Sequence, residues 1–218
     1  MIRKRRAFRH KNWKIITIPN ILTFCRIAVI PFLILSFYCS GPIGNFFALF
    51  LFVLASLTDY VDGYVARRLK LTSNFGAFLD PIADKLLITV TLLMLAGLGR
   101  ISSYNLIPAA IIVCREVTIS GLREFLAAMG LELPVLRLAK YKTVVQMVAI
   151  ASLLCNNQVY YSSVIAVVGN ILLWFASLLT LITGVSYVMS ALTFIKILQK
   201  QSRQAIPQKR KKRVKAHG

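Results

Sequence analysis

Acidic residues are scarce in this chain. Only seven of its 218 residues are Asp or Glu, whereas 27 are Lys or Arg, and the formal net charge is +20. A basic balance of this size indicates an anionic partner, either nucleic acid or a membrane surface. The sequence contains no folded nucleic-acid-binding module, so we favour anionic membrane lipid over nucleic acid.

The four cysteines form no metal-binding or disulfide pattern. Cys25, Cys39, Cys114 and Cys155 are scattered, and no two of them are spaced as C-x2-C. This distribution predicts neither a zinc site nor a disulfide framework. The four residues are interpreted as small apolar packing residues.

Long polar stretches are absent between the two ends of the chain. Hydrophobic residues make up 57% of the sequence, and the mean hydropathy is +0.70. We therefore predict an all-α, polytopic integral membrane protein with a single membrane domain, about residues 19–198. Six transmembrane helices are expected near residues 20–39, 44–66, 76–98, 106–129, 139–155 and 164–194.

Basic residues collect at both ends of the chain. They are Arg3, Lys4, Arg5, Arg6, Arg9, Lys11 and Lys14 before the first span, and Lys196, Lys200, Arg203, Lys209, Arg210, Lys211, Lys212, Arg213 and Lys215 after the last. Such charge predicts that both termini are cytoplasmic. An even number of spans agrees with this prediction, because it returns the chain to the side on which it began. Residues 1–18 are expected to form an interfacial amphipathic helix, and residues 199–218 a basic cytoplasmic tail.

The stretch from Asp59 to Lys85 holds four of the seven acidic residues. Carboxylates in or beside a membrane span are costly and therefore indicate function. Asp59 and Asp62 are three residues apart and Asp80 and Asp84 are four apart, so each pair shares one helix face. If the two helices meet, four negative charges require a cation between them, and oxygen ligands favour Mg²⁺ or Mn²⁺.

Polar residues also recur in the first span. Asn20, Thr23 and Arg26 follow at intervals of three and form a stripe on its cytoplasmic third. Two interpretations of Arg26 are open. Its side chain extends along the helix to the interface, or the stripe contacts a lipid or substrate phosphate.

A second group of charges lies in the fourth and fifth spans. It comprises Arg115, Glu116, Arg123, Glu124, Lys140 and Lys142. We expect the two Glu side chains to pair with neighbouring Arg. Arg115 and Arg123 are two turns apart and close to one face, so they can point into the same cavity. The surplus of cations predicts a bound phosphate.

The pattern D-x2-D-G-x2-A-R-x8-G-x3-D-x3-D resembles the signature of the CDP-alcohol phosphatidyltransferases. Every specified position is filled, by Asp59, Asp62, Gly63, Ala66, Arg67, Gly76, Asp80 and Asp84. This resemblance implies a phospholipid-synthesising membrane enzyme of the bacterial cytoplasmic membrane, with its active site facing the cytoplasm. It also implies two divalent ions per site and a homodimer.

The resemblance assigns roles to individual positions. Asp59, Asp62, Asp80 and Asp84 are implied metal ligands, and Asp84 is also the implied catalytic base. Nucleotide binding is implied for Asp62, Gly63, Ala66, Arg67 and Gly76. The donor substrate would be CDP-diacylglycerol, and the acceptor alcohol would displace CMP.

Further motifs resemble those family members whose acceptor is sn-glycerol 3-phosphate. These are the segments 19–26, 115–124 and 139–146. The acceptor phosphate would then be bound by Arg115, Arg123, Lys140 and Lys142. The alternatives are a sister transferase that uses inositol phosphate, serine or phosphatidylglycerol, and more remotely a divalent-cation transporter.

Overall fold

The computed structural model describes residues 18–39, 41–69, 74–129, 137–155 and 163–214. Within these ranges only the backbone is described for residues 18–19, 59–69, 74–75, 77–78, 128, 137, 140, 163 and 197–214. The predicted interfacial helix therefore falls outside the described residues, apart from Ile18. So does the last part of the predicted tail, residues 215–218.

The described chain is helical throughout, with no strand among its elements. The helices are α1 (Ile18–Tyr38), α2 (Pro42–Leu69), α3 (Asn74–Gly97), α4 (Leu106–Ala128), α5 (Arg137–Cys155) and α6 (Ser163–Val214). A single 3-10 turn, Ser103–Asn105, precedes α4. The prediction of an all-α membrane protein is confirmed, and each predicted span coincides with one helix.

Within the described residues, three helices are long and apolar enough to cross a bilayer by themselves. These spans are Asn20–Tyr38, Ser103–Ala127 and Val164–Lys196. Pro42–Thr58 and Tyr141–Cys155 are shorter apolar helices, and α3 carries Asp80, Asp84 and Lys85 within its apolar sequence. The count of six spans therefore remains a prediction.

Large apolar side chains cover the outside of the bundle. Phe32 is 59% exposed, Leu93 66% and Ile171 62%. In water such a surface would be a liability, but lipid tails are as apolar as these side chains and cover them without penalty. Cys25, Cys39 and Cys114 belong to this exposed surface, so their interpretation as packing residues was wrong. All four cysteines are free.

A glycine cap and an arginine fix the end of α3 that lies away from the acidic residues. Gly99 has a φ of 65°, a left-handed conformation that favours glycine. Its N–H donates to Ala96 O and that of Arg100 to Leu95 O, which is the Schellman pattern. Arg100 then donates to Asn45 Oδ1 at 2.5 Å, and its guanidinium lies 5.0 Å from the centre of the Phe37 ring. Burial lowers the pKa of Arg100 from its usual value.

The core of the bundle is apolar at this end and becomes polar at the other. Leu33, Phe52, Leu92, Ile112 and Leu154, each from a different helix, belong to one buried cluster. The other end is where α1, α3 and α5 begin and where α2 and α4 finish. Buried polar residues lie near this end on α1 and α5, among them Thr23, Arg26 and Lys142.

Candidate active site

Helix α1 holds the two aspartates of α3 in place. Thr23 Oγ1 donates a hydrogen bond to Asp80 Oδ1, and Arg26 Nη1 donates to Asp84 Oδ1 at 2.5 Å. Thr23 and Arg26 are three residues apart on α1, whereas Asp80 and Asp84 are four apart on α3. Both spacings keep a pair on one helix face, so the two bonds form side by side. The Arg26 charge stabilises the Asp84 charge through a charge-assisted hydrogen bond whose donor is fully buried.

The polar stripe of α1 is therefore an interior feature. Asn20, Thr23 and Arg26 are each 0–1% exposed. The interpretation in which Arg26 extends to the interface is wrong, because its side chain is 0% exposed and forms an ion pair with Asp84. The physical reason is that a carboxylate within reach offers the guanidinium a better partner than the distant interface does. The alternative, a contact between this stripe and a phosphate, remains a prediction.

A cavity of about 320 Å³ opens beside the two aspartates. Its charged lining residues are Asp80, Asp84, Lys85, Arg115, Glu116, Arg123 and Lys142. Four cations thus face three carboxylates among the described lining residues. The remaining lining residues include Ala139, Thr143, Gln146 and Tyr187. The cavity is bounded by α3, α4, α5 and α6 and has a surplus of positive charge on the side opposite α1.

Glu116 connects two of the cations. It accepts hydrogen bonds from Lys142 Nζ and, at 3.4 Å, from Arg115 Nη1. The expected pairing of Glu116 with a neighbouring Arg is confirmed by its contact with Arg115. The second partner, Lys142, lies 26 positions further along the chain and was not predicted. One carboxylate cannot neutralise two cations. Arg115, Lys142 and Glu116 together therefore keep a net positive charge, while the bonds to Glu116 fix the positions of the two cations.

Helix α6 supports Arg115 from behind. Arg115 Nη2 donates to Thr183 Oγ1 at 3.0 Å, and its guanidinium carbon lies 5.8 Å from the centre of the Tyr187 ring. Gly184 leaves the room for this arrangement. A Cβ atom at Gly184 would lie 3.2 Å from Arg115 Cγ and 3.6 Å from its Nε. The guanidinium is thus held by a hydroxyl, an aromatic face and a carboxylate.

The cavity brings together five of the residues proposed from sequence. Asp80, Asp84, Arg115, Arg123 and Lys142 all line it. Gly76 is buried one turn before Asp80. The side chains of Asp59, Asp62, Ala66 and Arg67 on α2 and of Lys140 on α5 lie outside the described side chains, as does Gly63 in the same part of α2. The prediction that α2 completes the site is therefore untested.

Some lining residues carried no sequence signal strong enough to identify them. Lys85 donates to Ser120 Oγ across the cavity wall, and only its position directly after Asp84 pointed to it. Tyr187 lines the cavity from the last span, where the pattern indicated a hydrophobic helix and nothing more. The same pattern gave no signal for Thr183, which contacts Arg115 without lining the cavity. Gln146 ends the segment 139–146, which resembles the family, but its residue type alone indicates no role.

The described donor set fits a hard divalent cation in kind. Asp80 and Asp84 are half-buried and offer only oxygen atoms, which Mg²⁺ and Mn²⁺ prefer. Two carboxylates are too few for a protein-only site, and no group of three or more possible ligands occurs among the described side chains. Asp59 and Asp62 are the residues that would complete it.

Six helices with a lipid-compatible surface and a charged cavity near one end define an integral membrane protein with an internal polar site. The chain belongs to the CDP-alcohol phosphatidyltransferase family, whose model matches residues 16–182. That match includes every described charged residue of the cavity.

Relatives with an assigned activity cover most of the chain. One from Rickettsia bellii is 46% identical over 170 residues, which are 78% of this chain and 92% of the relative. Others from Cereibacter sphaeroides and Haemophilus influenzae are 38% identical over 220 residues and 36% over 176. These alignments cover 85% and 80% of this chain and 98% and 92% of the relatives. All three are named CDP-diacylglycerol--glycerol-3-phosphate 3-phosphatidyltransferase.

Proposed function

We propose that this protein transfers a phosphatidyl group from CDP-diacylglycerol to sn-glycerol 3-phosphate, giving phosphatidylglycerophosphate and CMP. The observation that carries the proposal is the cavity in which Asp80 and Asp84 face Arg115, Arg123 and Lys142. A phosphorylated acceptor accounts for the surplus of cations, whereas serine or a neutral polyol would need fewer. The shared name of relatives at 36–46% identity supports the same acceptor.

Asp59, Asp62, Asp80 and Asp84 are the proposed ligands of the divalent cations, Mg²⁺ or Mn²⁺ and two per site. Dependence on a divalent cation is general in this family. When bound, the cations would neutralise the pyrophosphate and stabilise the leaving oxygens. Thr23 and Arg26 restrict the orientation of the α3 carboxylates through hydrogen bonds.

Asp84 is the proposed general base as well as a ligand. It accepts the proton of the acceptor hydroxyl while the hydroxyl oxygen attacks the phosphorus that bears the lipid. The bond from that phosphorus to the bridging oxygen breaks, and CMP leaves. For the nucleotide, Asp62, Gly63, Ala66, Arg67 and Gly76 are the proposed contacts. The small residues leave room for the cytidine, and Arg67 binds its phosphates.

The acceptor phosphate is assigned to Arg115, Arg123, Lys140 and Lys142. Guanidinium groups bind phosphate through paired N–H donors, and an ammonium adds a point charge. Arg115 is held by Thr183 and Glu116, so its fork is oriented before a ligand arrives. Lys85 on α3 is a further cation that lines the same cavity.

The proposed setting is the bacterial cytoplasmic membrane, with six spans, both termini in the cytoplasm and the site open to that side. A site that takes up a water-soluble acceptor and releases CMP must be reached from the compartment that contains them. The basic ends would hold anionic lipid, and the active form would be a homodimer.

The test is release of CMP by purified protein with CDP-diacylglycerol and Mg²⁺ or Mn²⁺. sn-Glycerol 3-phosphate is compared with serine, inositol phosphate and phosphatidylglycerol. We expect CMP to be released only when sn-glycerol 3-phosphate is the acceptor. Release with another acceptor instead would preserve the reaction class and refute the acceptor assignment. No release with any acceptor would refute the transferase and favour the cation transporter, which an ion-flux assay in vesicles would then detect.

A further inference from the structure

Gln146 is an uncommon feature of the cavity wall. Its side chain is 0% exposed, and neither Oε1 nor Nε2 has a hydrogen-bond partner among the described residues. A buried amide without partners is costly, and native structures contain few of them. Gln146 nevertheless lines the cavity that holds Asp84 and Arg115. The amide therefore lies where a ligand can supply the missing bonds.

The position of Gln146 on α5 relates it to the proposed phosphate site. Gln146 follows Lys142 by four residues, so both side chains lie on one face and Gln146 is about one turn, roughly 6 Å, further along the helix. Lys142 is held by Glu116, and its direction is thereby fixed. A ligand whose phosphate binds at Lys142 and Arg115 would present its neighbouring atoms to Gln146.

The chemistry of the amide restricts what those atoms can be. Oε1 only accepts hydrogen bonds, and Nε2 only donates them. An ionised phosphate oxygen would satisfy Nε2 and leave Oε1 unpaired, and a metal ion would do the reverse. A hydroxyl group both donates and accepts, so one or two hydroxyl contacts satisfy both ends of the amide.

We propose that Gln146 binds the secondary hydroxyl of the acceptor, the one that does not react, and thereby selects a phosphorylated polyol over a simple phosphorylated alcohol. This inference rests on the proposed function. In the acceptor, the secondary hydroxyl lies between the phosphate and the reacting hydroxyl. Gln146 occupies the same wall as Lys142, and the carboxylates that would meet the reacting hydroxyl lie on α3.

The experiment compares two acceptors that differ by one hydroxyl. They are sn-glycerol 3-phosphate and 3-hydroxypropyl phosphate, which has the same phosphate and the same reacting alcohol. A site built to bind a hydroxyl discriminates strongly against an analogue that lacks it. For the wild-type protein we expect kcat/KM to fall about 10- to 100-fold with the analogue. Gln146→Met should reduce kcat/KM for glycerol phosphate by a similar factor and leave the analogue unchanged.

Thr180→Val is the matched control. Thr180 is also 0% exposed, and its side-chain oxygen has no partner within the described part of the chain, yet Thr180 does not line the cavity. Removing that oxygen should leave the ratio of kcat/KM for glycerol phosphate to kcat/KM for 3-hydroxypropyl phosphate at its wild-type value. Gln146→Asn, which keeps an amide but shortens its reach, provides a second variant if the Met substitution prevents folding. Gln146→Asn should also lower the ratio of kcat/KM for glycerol phosphate to kcat/KM for the analogue.

Several outcomes would overturn the inference and leave the proposed function intact. One is equal kcat/KM for the two acceptors in the wild-type protein. Another is an equal loss for both acceptors in the folded Gln146 variants, which would indicate a structural role for the amide. By contrast, a wild-type protein that uses neither acceptor but uses serine or phosphatidylglycerol would refute the proposed function itself.

Discussion

At the residue scale, the carboxylates of α3 depend on side chains that lie far earlier in the chain. Asp84 is 58 positions from Arg26, and Asp80 is 57 from Thr23. The sequence pattern identified all four residues as functional candidates, because polar groups in apolar helices are conspicuous. It could not pair them, since any of the four aspartates could have met the stripe on α1. Pairing depends on how the helices pack, which periodicity within one helix does not determine.

Substitution of Asp84 should separate chemistry from binding. We expect Asp84→Asn to lower kcat by a factor of about 10²–10⁴, the usual contribution of a general base. Binding of CDP should be largely retained, because Asn keeps the size of the side chain and an oxygen that can accept the Arg26 bond. CMP release and CDP affinity by calorimetry are the two measurements.

A control for Asp84→Asn is available in the same cavity. Glu116→Gln also removes one negative charge from the lining, but Glu116 pairs with cations and is not a proposed base. It should retain measurable turnover. Full activity in Asp84→Asn would remove the general-base assignment.

The positively charged lining residues Arg123 and Lys142 should determine the KM for the acceptor and not the KM for the lipid substrate. Arg123→Ala and Lys142→Ala are each expected to raise the KM for glycerol phosphate by roughly tenfold or more, since a hydrogen bond to a charged group is lost. The KM for CDP-diacylglycerol should change little. Steady-state kinetics with each substrate varied in turn will measure both.

Arg100→Gln is the control for the Arg123 and Lys142 variants. Arg100 is an arginine at the opposite end of the bundle, bound to Asn45 and Phe37. Its substitution should lower the melting temperature and leave the acceptor KM unaltered. Unchanged acceptor kinetics in both Arg123→Ala and Lys142→Ala would place the phosphate elsewhere.

At the element scale, helix boundaries were predicted closely wherever an apolar run ended at small or polar residues. The predicted start at Leu106 and end at Cys155 coincide with those of α4 and α5. The end of α6 was not predicted, because the apolar run stops near Phe194 whereas the helix continues to Val214. Lys, Arg and Gln are good helix formers and dominate those last residues. A hydropathy pattern indicates which residues lie in the bilayer, and it does not indicate how far the helix continues beyond it.

Helix α6 should influence the acceptor through Gly184. We expect Gly184→Ala to raise the KM for glycerol phosphate about three- to tenfold, because the added Cβ displaces Arg115 by a few tenths of an ångström. Turnover at saturating acceptor should fall less. The measurement is acceptor kinetics at saturating CDP-diacylglycerol.

The matched control for Gly184→Ala is Gly121→Ala on α4. A Cβ atom at Gly121 would meet nothing within 4 Å. This substitution should leave the acceptor KM unchanged and stabilise the helix by about 0.5–1 kcal/mol. If the two variants behaved alike, the close approach between α6 and Arg115 would have no role in the site.

At the scale of the whole molecule, positive charge is concentrated at the ends of the chain, while three of the seven acidic residues line the cavity. Eight basic residues lie in positions 199–218. The α6 helix runs 52 residues, about 78 Å at 1.5 Å per residue, against a hydrocarbon core of about 30 Å. Its last part therefore extends well beyond any single span. A charged extension of this kind is suited to anionic lipid headgroups.

Deletion of residues 199–218 should weaken the interaction with anionic membranes. Each Lys or Arg near such a surface contributes about 1 kcal/mol, and salt screens the attraction. We expect lower activity in anionic vesicles at low salt and unchanged activity in neutral detergent. Equal activity of the full and truncated proteins in anionic vesicles would refute a lipid-holding role for this segment.

The bond between Arg26 and Asp84 also bears on how the protein is made. Membrane helices are synthesised in chain order, and an unpaired carboxylate costs about 2.5–3.5 kcal/mol to insert at the middle of a bilayer. Because α1 precedes α3, the guanidinium is already in the membrane when Asp84 follows it. We therefore expect the ion pair with α1 to offset part of the cost of inserting the acidic helix α3, before any cation or substrate is bound.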